Sequence, residues 1–547
     1  AVARAIFDDQ SPCSRRAGRS RCTDSGIGAI SRVDNADRRA VARVSRITEE
    51  VSPGGWAGGR EPSNPTPATP LPSRPVSIAV SACLAPPRAT SAVAWTVAPY
   101  HQGPMAIPPT SDLPDTMLVR GGQPVDGEIH VRGSKNALPK AMVAALLTVE
   151  PCRLTNIAAI TDIAVVDELI SIAGGTVVHE NDSVIITAHD FRALSDEDVM
   201  RLHAASRIPV LTTAVSLHRT GHAVVAAPGG CSIGPRPVDF HLNVLRAFGA
   251  RDVHREDIIE LNVDRMRGAR IELPFPSVGA TEQFLFASVL AEGDSELSNA
   301  AIEPEILDLI AVLQKMGAII SVEPNRTIRV TGVAELGGFE HRVVGDRLEA
   351  ASWASLALAT GGTITVHGVQ QQLLSTFLNM YRRAGGDFKI DAEGDTLTFG
   401  RARRMLRPLA LETDVHPGFM TDWQSPFVTA LTQADGVSVV HETVYEDRLG
   451  YTDALRSLGA QIQVFTECLG PTRCRFGAAN HRHSAVVVGP TKLHGAELVV
   501  PDLRAGFSYV IAAAAADGES LIHGVDLLDR GYADFRSKLS AVGVEHR

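Results

Sequence analysis

The 547-residue sequence predicts an α/β fold built from six repeated units, on two observations: a recurring helix-to-strand junction marked by glycine, and its near-regular spacing. Amphipathic stretches end in glycine and pass into strand-like runs at residues 172–177, 248–253, 316–321, 384–389, 458–463 and 542–547. The first glycines of these junctions are Gly174, Gly249, Gly317, Gly385, Gly459 and Gly543, with separations of 75, 68, 68, 74 and 84 residues. Glycine at such a point supplies the left-handed cap that ends a helix. The helical face is clearest before the third junction, where Ile306, Leu309, Ile310, Leu313 and Met316 recur at spacings of three and four. Strand character is clearest at Thr363 to His367, which is alternating and β-branched. An ordinary α/β protein with habitual glycine caps is the simpler alternative. Six near-regular copies favour two pseudo-threefold domains instead.

The first 116 residues differ in kind from the rest. They hold 15 of the 32 prolines, 13 arginines and no lysine, without sustained apolar periodicity, so they are expected to be disordered. Val76 to Leu84 is apolar but too short and too interior for a signal or a membrane span. The segment Met117 to Gly127 opens the patterned part of the chain, which suggests that residues 1–116 are translated upstream sequence from a misplaced start; a regulatory extension is the alternative. Of the 52 basic and 62 acidic residues, 13 and 10 lie in this tail, leaving a body with 39 and 52. Such an acidic body is a poor nucleic-acid binder, so its arginines are expected to form a pocket for a small anion. Body cysteines 152, 231, 468 and 474 show no paired Cys-x-x-Cys spacing, as suits a reducing cytoplasm, and no apolar run approaches membrane-spanning length. No obligate protein partner is expected.

Residues 228–241, Pro-Gly-Gly-Cys-Ser-Ile-Gly-Pro-Arg-Pro-Val-Asp-Phe-His, carry most of the functional information. Glycines 229, 230 and 234 leave little bulk around Cys231, and Arg236 favours its thiolate or holds an anion beside it. A glycine-rich turn with an idle cysteine is the competing reading of this loop alone. The loop resembles the active-site loop of the UDP-N-acetylglucosamine enolpyruvyl transferases, within the enolpyruvyl transferase superfamily. Further matches follow in family order: Gly-Ser-Lys-Asn at 133–136, Ser-Val-Gly-Ala-Thr at 277–281, Glu-Pro-Glu at 303–305, His-Pro-Gly-Phe-Met-Thr-Asp at 416–422, Glu-Thr-Val-Tyr-Glu-Asp-Arg at 442–448, Pro-Asp-Leu-Arg-Ala-Gly at 501–506 and Asp-Arg-Gly-Tyr at 529–532. The resemblance covers residues 117–547.

What the resemblance implies is an inside-out architecture, with sheets outside, helices within and three units per domain. Its chain crossings fall near Ser134 and Gly345, so residues 117–134 and 346–547 form one domain and 135–345 the other, with the ligand cleft between them. The reaction it implies moves enolpyruvate from phosphoenolpyruvate to the 3-hydroxyl of UDP-N-acetylglucosamine and expels phosphate, with no cofactor or metal. Lys135 and Asn136 match the phosphoenolpyruvate-binding pair, and Arg236, Arg448, Arg504 and Arg530 offer forks for carboxylate and phosphate oxygens. Cys231 matches the proton donor to the methylene carbon. Asp422 matches the base at the sugar hydroxyl; outside its motif, which His416, Pro417 and Phe419 complete, a Thr-Asp pair is far more often a helix cap. On the nucleotide side the matches are Arg207, Arg236, Pro237, Val238, Asp239, Phe240, Ser277, Val278, Gly279, Asp422 and Val444.

Two departures bear on the acceptor. Arg207 sits in Ser-Arg-Ile-Pro rather than the family's Arg-Ala-Ser context, and Phe275 stands where a basic residue is common, with Arg267 and Arg270 as alternative cations. Another uridine nucleotide such as UMP is therefore a rival acceptor, and a catalytically silent ligand sensor is a rival of another class. Cys468, Cys474, His481 and His483 cluster in an apparent hairpin insertion, but their spacing matches no common zinc pattern and reads as a polar surface loop.

Overall fold

A computed structural model describes residues 115–226, 238–255, 257–471, 473–477 and 480–547. These residues form six small sheets, five of four strands and one of three. One wiring recurs. The strand Cys152–Thr155 leads to the helix Thr161–Ile172, Gly174 ends that helix, and the hairpin Thr176–Glu180 and Ser183–Thr187 follows. The second hairpin strand then inserts between the other two, antiparallel to both. The strand Phe339–Arg342 completes the sheet by pairing parallel to Cys152–Thr155. The six glycines singled out in the sequence occupy equivalent junctions, and all take φ between 78° and 104°, the left-handed region where a Cβ is strained.

The sixth sheet closes the chain on itself. Its strands Glu497–Val499, Glu519–His523 and Glu545–His546 come from the C-terminal end of the sequence, yet Thr116–Arg120 lies between the last two, in register from Thr116 opposite His523 to Arg120 opposite Glu519. Met117 and Val119 face inward and are fully buried, while Thr116 and Arg120 are exposed, as expected for a sheet with one solvated face. The expected boundary at Met117 thus lies one residue inside this strand. Asp115 adds two anchors: its backbone carbonyl accepts the Gly524 N–H at 2.7 Å and its carboxylate accepts from Arg536 at 2.7 Å.

Two large hydrophobic cores lie beneath the sheets. One runs from Ala137 to Val343, joined by Ala533. The other takes Met117 to Val131 and Leu348 to Val544. In the second, the helices Arg347–Thr360, Thr421–Leu431 and Leu503–Ala515 pack against one another and bury nearly every side chain. Helices Leu138–Ala144, Thr212–Thr220 and Val278–Ser288 have the corresponding place in the first. The sheets outside and helices within match the architecture implied by the motifs.

The chain passes from one core to the other twice, and the two passages run side by side. Gly133 bridges Gly345, the Ser134 N–H donates to the Val344 carbonyl at 2.7 Å, and the Asp346 N–H donates to that of Arg132 at 2.9 Å. Neither glycine leaves room for a side chain: a Cβ would lie 2.2 Å from the Asn156 oxygen at Gly133 and 1.9 Å from the Gly368 oxygen at Gly345. Asp346 then caps the helix that follows, its carboxylate accepting the N–H groups of Leu348 at 2.8 Å and Glu349 at 3.0 Å.

Two outcomes are expected from this fold. A chain lacking residues 1–113 should melt where the full chain does. Starting at Met117 removes the Asp115 anchors, worth about 1–2 kcal/mol together, and should lower the melting temperature by a few degrees. Starting at Gly121 removes an inner strand and should give insoluble protein. The second concerns Glu282, buried in the helix Val278–Ser288, whose pKa burial pushes up to about 7 against the pull of Lys140 at 3.7 Å. A raised carboxyl adds stability that is present below its unfolded value near 4.5 and lost as pH rises through about 7. Thermal melts of Glu282→Gln should therefore lose that part of the decline across this window, with the largest gain over wild type above pH 7.

Candidate active site

Lys135 follows the first passage directly, and its own N–H donates to the Asp346 carboxylate at 3.1 Å. Its ammonium forms an ion pair with Asp162, the second residue of the helix Thr161–Ile172. The other Asp162 oxygen accepts from Arg530 Nε at 3.0 Å, so one buried carboxylate holds two cations from distant parts of the chain. Burial lowers the Lys135 pKa, with Asp162 opposing it. Burial would raise that of Asp162, but Lys135 and Arg530 outweigh it and the net shift is down. Gly531 lets Lys135 and Leu503 pack close to the backbone, because a Cβ would stand 2.8 Å from the Lys135 side chain and 2.6 Å from that of Leu503. Asn136 is half-buried beside Lys135, its N–H donating to Ser134 Oγ at 3.2 Å.

A second carboxylate organises the remaining arginines. Asp422 lies in the first turn of the helix Thr421–Leu431, where its Oδ1 accepts from Arg448 at 2.8 Å and its Oδ2 stands 3.8 Å from Arg504 Nε. Arg504 also donates to the Tyr532 hydroxyl at 3.2 Å. Burial pulls the Arg504 pKa down, yet Tyr532, Asp422 and Asp346 reverse the shift, so the guanidinium stays charged without solvent. Arg448 behaves likewise, with Asp422 the main opponent of its burial. Lys135 and Arg504 are close enough that the arginine depresses the lysine, which links the two clusters. The result is a group of four cations drawn from four motifs, Arg504 buried and the other three half-buried, held near the passages between the cores.

Glu442 fixes this second cluster from behind. Fully buried, it accepts from Thr421 Oγ1 at 2.9 Å, Gln424 Nε2 at 2.7 Å and the N–H groups of Val444 and Tyr445 at 2.8 and 2.9 Å. It therefore ties the start of the Asp422 helix to the Val444 loop. Sequence reasoning assigned no role to Asp162, Asp346, Glu442 or Tyr532, although Glu442 and Tyr532 fall within quoted motifs.

Beside Ser277 and Gly279, which the motifs match to the nucleotide, the structure places His241. A Cβ on Gly279 would stand 2.8 Å from the His241 ring, so the glycine lets the histidine lie against the start of the helix Val278–Ser288, which Ser277 caps. Burial, with Arg207 adding repulsion, pushes the His241 pKa down to about 4 and keeps its ring neutral near pH 7. Arg207 is half-buried at the start of a short 3₁₀ turn over Ile208–Leu211. Val238 is buried and Phe240 half-buried where the helix Asp239–Ala247 begins, whereas Asp239 points outward. Cys231, Arg236 and Pro237 lie outside the described residues, between the strand His222–Ala226 and that helix.

Phe275 is met by a cation that the sequence reading did not anticipate. The guanidinium of Arg475 stacks 4.5 Å from the Phe275 ring centre, pairs with Glu446 at 3.4 Å and donates to the Val444 carbonyl. Arg475 comes from the loop between Cys474 and Phe476, so a residue of the Val439 and Val486 sheet reaches the rim of the other core. The alternatives considered earlier lie elsewhere: Arg267 is exposed and 4.0 Å from Glu292, and Arg270 is exposed on the strand Arg270–Glu272. In the same loop Cys468, Cys474 and His483 converge, but the fourth member is His441, because His481 turns to Asp447 at 2.9 Å.

Comparison with known proteins places this geometry. The sequence pattern of the family described as EPSP synthase (3-phosphoshikimate 1-carboxyvinyltransferase) matches residues 119–539. The UDP-N-acetylglucosamine 1-carboxyvinyltransferase of Protochlamydia amoebophila is 43% identical over 436 residues, 79% of this chain and 93% of that protein. The protein of that name from Chlamydia trachomatis serovar D is 40% identical over 422 residues, 77% and 95% of the two chains. Among solved structures, the enolpyruvyl transferase NikO from Streptomyces tendae superposes with a TM-score of 0.70 at 21% identity, covering 79% of this chain and 98% of that one. EPSP synthase from Acinetobacter baumannii gives 0.58 at 17%, covering 79% and 99%. The fold, the order of the motifs and the length of the match agree: the chain belongs to the UDP-N-acetylglucosamine 1-carboxyvinyltransferase family of enolpyruvyl transferases.

Proposed function

We propose that this protein transfers the enolpyruvyl group of phosphoenolpyruvate to the 3-hydroxyl of UDP-N-acetylglucosamine in the cytoplasm, the first committed step of peptidoglycan precursor synthesis. The observation that carries this reading is the group of Lys135, Arg448, Arg504 and Arg530, gathered by Asp162 and Asp422 with Asp346 nearby. A donor bearing both a carboxylate and a phosphate suits such a group of cations, because planar guanidinium forks match both groups. Asp422 is the base for the sugar hydroxyl, and Cys231 gives a proton to the methylene carbon. The hydroxyl oxygen then bonds to C2; loss of a methyl proton restores the double bond as the C2–O bond to phosphate breaks, releasing inorganic phosphate. The arginines that contact Asp422 favour its ionised state, as a base requires.

On the acceptor side Arg475 takes the part that a basic residue at position 275 has elsewhere in the family. Its guanidinium lies beside Val444 and over Phe275, where a nucleotide diphosphate can meet it. No helix among the described residues is long and apolar enough to cross a membrane, consistent with a substrate drawn from the nucleotide-sugar pool.

Phosphate release from phosphoenolpyruvate is the direct test: UDP-N-acetylglucosamine should support turnover, and UMP or UDP-glucose should not. Turnover with UMP alone identifies a different acceptor, and no release with any nucleotide rejects the enzymatic reading. Asp422→Asn should lower kcat by about 10²–10⁴-fold, the usual contribution of a general base, while calorimetry still detects nucleotide binding. Cys231→Ser should likewise lose most turnover, and Cys231→Asp should retain some with a more acidic optimum. Arg475→Ala should weaken nucleotide binding by roughly 10- to 150-fold, equivalent to a charged hydrogen bond of about 1.5–3 kcal/mol, and leave phosphoenolpyruvate binding unchanged. Phe275→Lys should also weaken the nucleotide, because the new ammonium faces Arg475.

A further inference from the structure

We propose that His441, Cys468, Cys474 and His483 bind one zinc ion in a closed Cys2His2 site that holds the Arg475 loop against the cleft. The four ligand atoms all lie within 4.8 Å of one another. Cys468 Sγ is 3.6 Å from Cys474 Sγ and 3.3 Å from His483 Nε2. A tetrahedral zinc with bonds of about 2.3 Å to sulfur and 2.0 Å to nitrogen sets such ligand pairs about 3.5–3.8 Å apart, so the cluster has the right size. Both cysteines are free thiols.

Three features of the surroundings point to a metal rather than a hydrogen-bonded cluster. His441 is fully buried, and its Nε2 has no hydrogen-bond partner. Its Nδ1 meets the Glu412 carboxylate at 2.7 Å, the arrangement that turns the far nitrogen of a zinc-bound histidine toward the ion. His483 is built the same way, with Nδ1 at 2.8 Å from the His481 carbonyl and Nε2 facing Cys468. The backbone is also fitted to this pair: a Cβ at Gly470 would lie 2.1 Å from His441 Nδ1 and 2.2 Å from Glu412 Oε2.

The sheet brings the ligands together although they span 43 positions. His441 ends the strand Gly436–His441 and lies opposite Ser484, which begins the strand Ser484–Gly489, so His441 and His483 are neighbours across the ladder. The cysteines come from the loop after Gln461–Phe465 in the same sheet. Two thiolates and two imidazoles favour zinc among the common divalent ions, and four protein ligands leave no position for substrate, so the role is structural. Binding releases the two thiol protons to solvent. Arg475 follows Cys474 directly, so the ion anchors the stretch that carries the guanidinium to Phe275. The metal site stands independently of the assigned reaction.

Full-length protein purified without chelator should contain about one zinc per chain by plasma mass spectrometry. Cys468→Ser/Cys474→Ser and His441→Ala should contain little, while His481→Ala keeps its zinc. Cobalt substitution of the wild type, which needs no variant, should produce thiolate-to-cobalt charge transfer and intense tetrahedral visible bands. A chelator should lower the wild-type melting temperature, and zinc should restore it. Wild-type protein that takes up neither ion after anaerobic reduction overturns the proposal. So does zinc retained at full stoichiometry in the double cysteine variant, or a Cys468–Cys474 disulfide that on reduction still yields no metal uptake.

Discussion

The Asp346 carboxylate is the constraint on which the site depends. One oxygen caps the helix Arg347–Thr360 and the other accepts the N–H of Lys135, so a single buried group joins the two passages between the cores. From that point the placement of Lys135 is no longer a property of one core. Its ammonium reaches Asp162 in the first core, and Asp162 in turn holds Arg530 from the far end of the sequence. Taking a cation such as Arg504 out of water is strongly unfavourable unless it is paired. Here Asp162 gathers Lys135 and Arg530 while Asp422 gathers Arg448 and Arg504, so two carboxylates set the spacing of four cations.

The local features of the fold were legible in the sequence, and the non-local ones were not. Each glycine from Gly174 to Gly543 marks a backbone conformation that other residues avoid, so the junction shows itself in one letter and its spacing reveals the repeat. Sheet order has no such mark. Nothing in Phe339–Arg342 states that it will lie beside Cys152–Thr155, because parallel pairing between distant segments depends on how the units stack. The same division holds for the site. Lys135, Arg448, Arg504 and Arg530 were found through their motifs, whereas Asp162 and Asp346 look like ordinary helix-terminal aspartates until the fold gives them cations. His441 was missed because its sheet partner, not its sequence neighbourhood, brings it to the cysteines, and His481 was included only because it sits next to them.

Arg475 and Phe275 illustrate how a cation can be brought to one core from a loop of the other. A basic residue next to Ser277 is fixed by the helix that follows it. An arginine on a loop of the other core has no such support and must be held by its own contacts, here Phe275, Phe476, Glu446 and the Val444 carbonyl. The contact makes the surroundings of Phe275 depend on both cores and on the shape of one insertion. It also explains why an aromatic residue suits position 275, since a flat ring offers the guanidinium a surface that an aliphatic side chain does not.

The strand Thr116–Arg120 has a consequence for the order in which the molecule can be made. It is among the earliest of the described segments to leave the ribosome, yet its partners Glu519–His523 and Glu545–His546 are the last. The segment from Ala137 to Val343 is continuous and can collapse while synthesis continues, but the other core must wait for the final residues before its sixth sheet closes. Throughout that interval Met117 and Val119 have no sheet to bury them. A nascent chain with this wiring therefore carries this strand unpaired for about four hundred codons, so the sixth sheet closes only after synthesis of the chain is nearly complete.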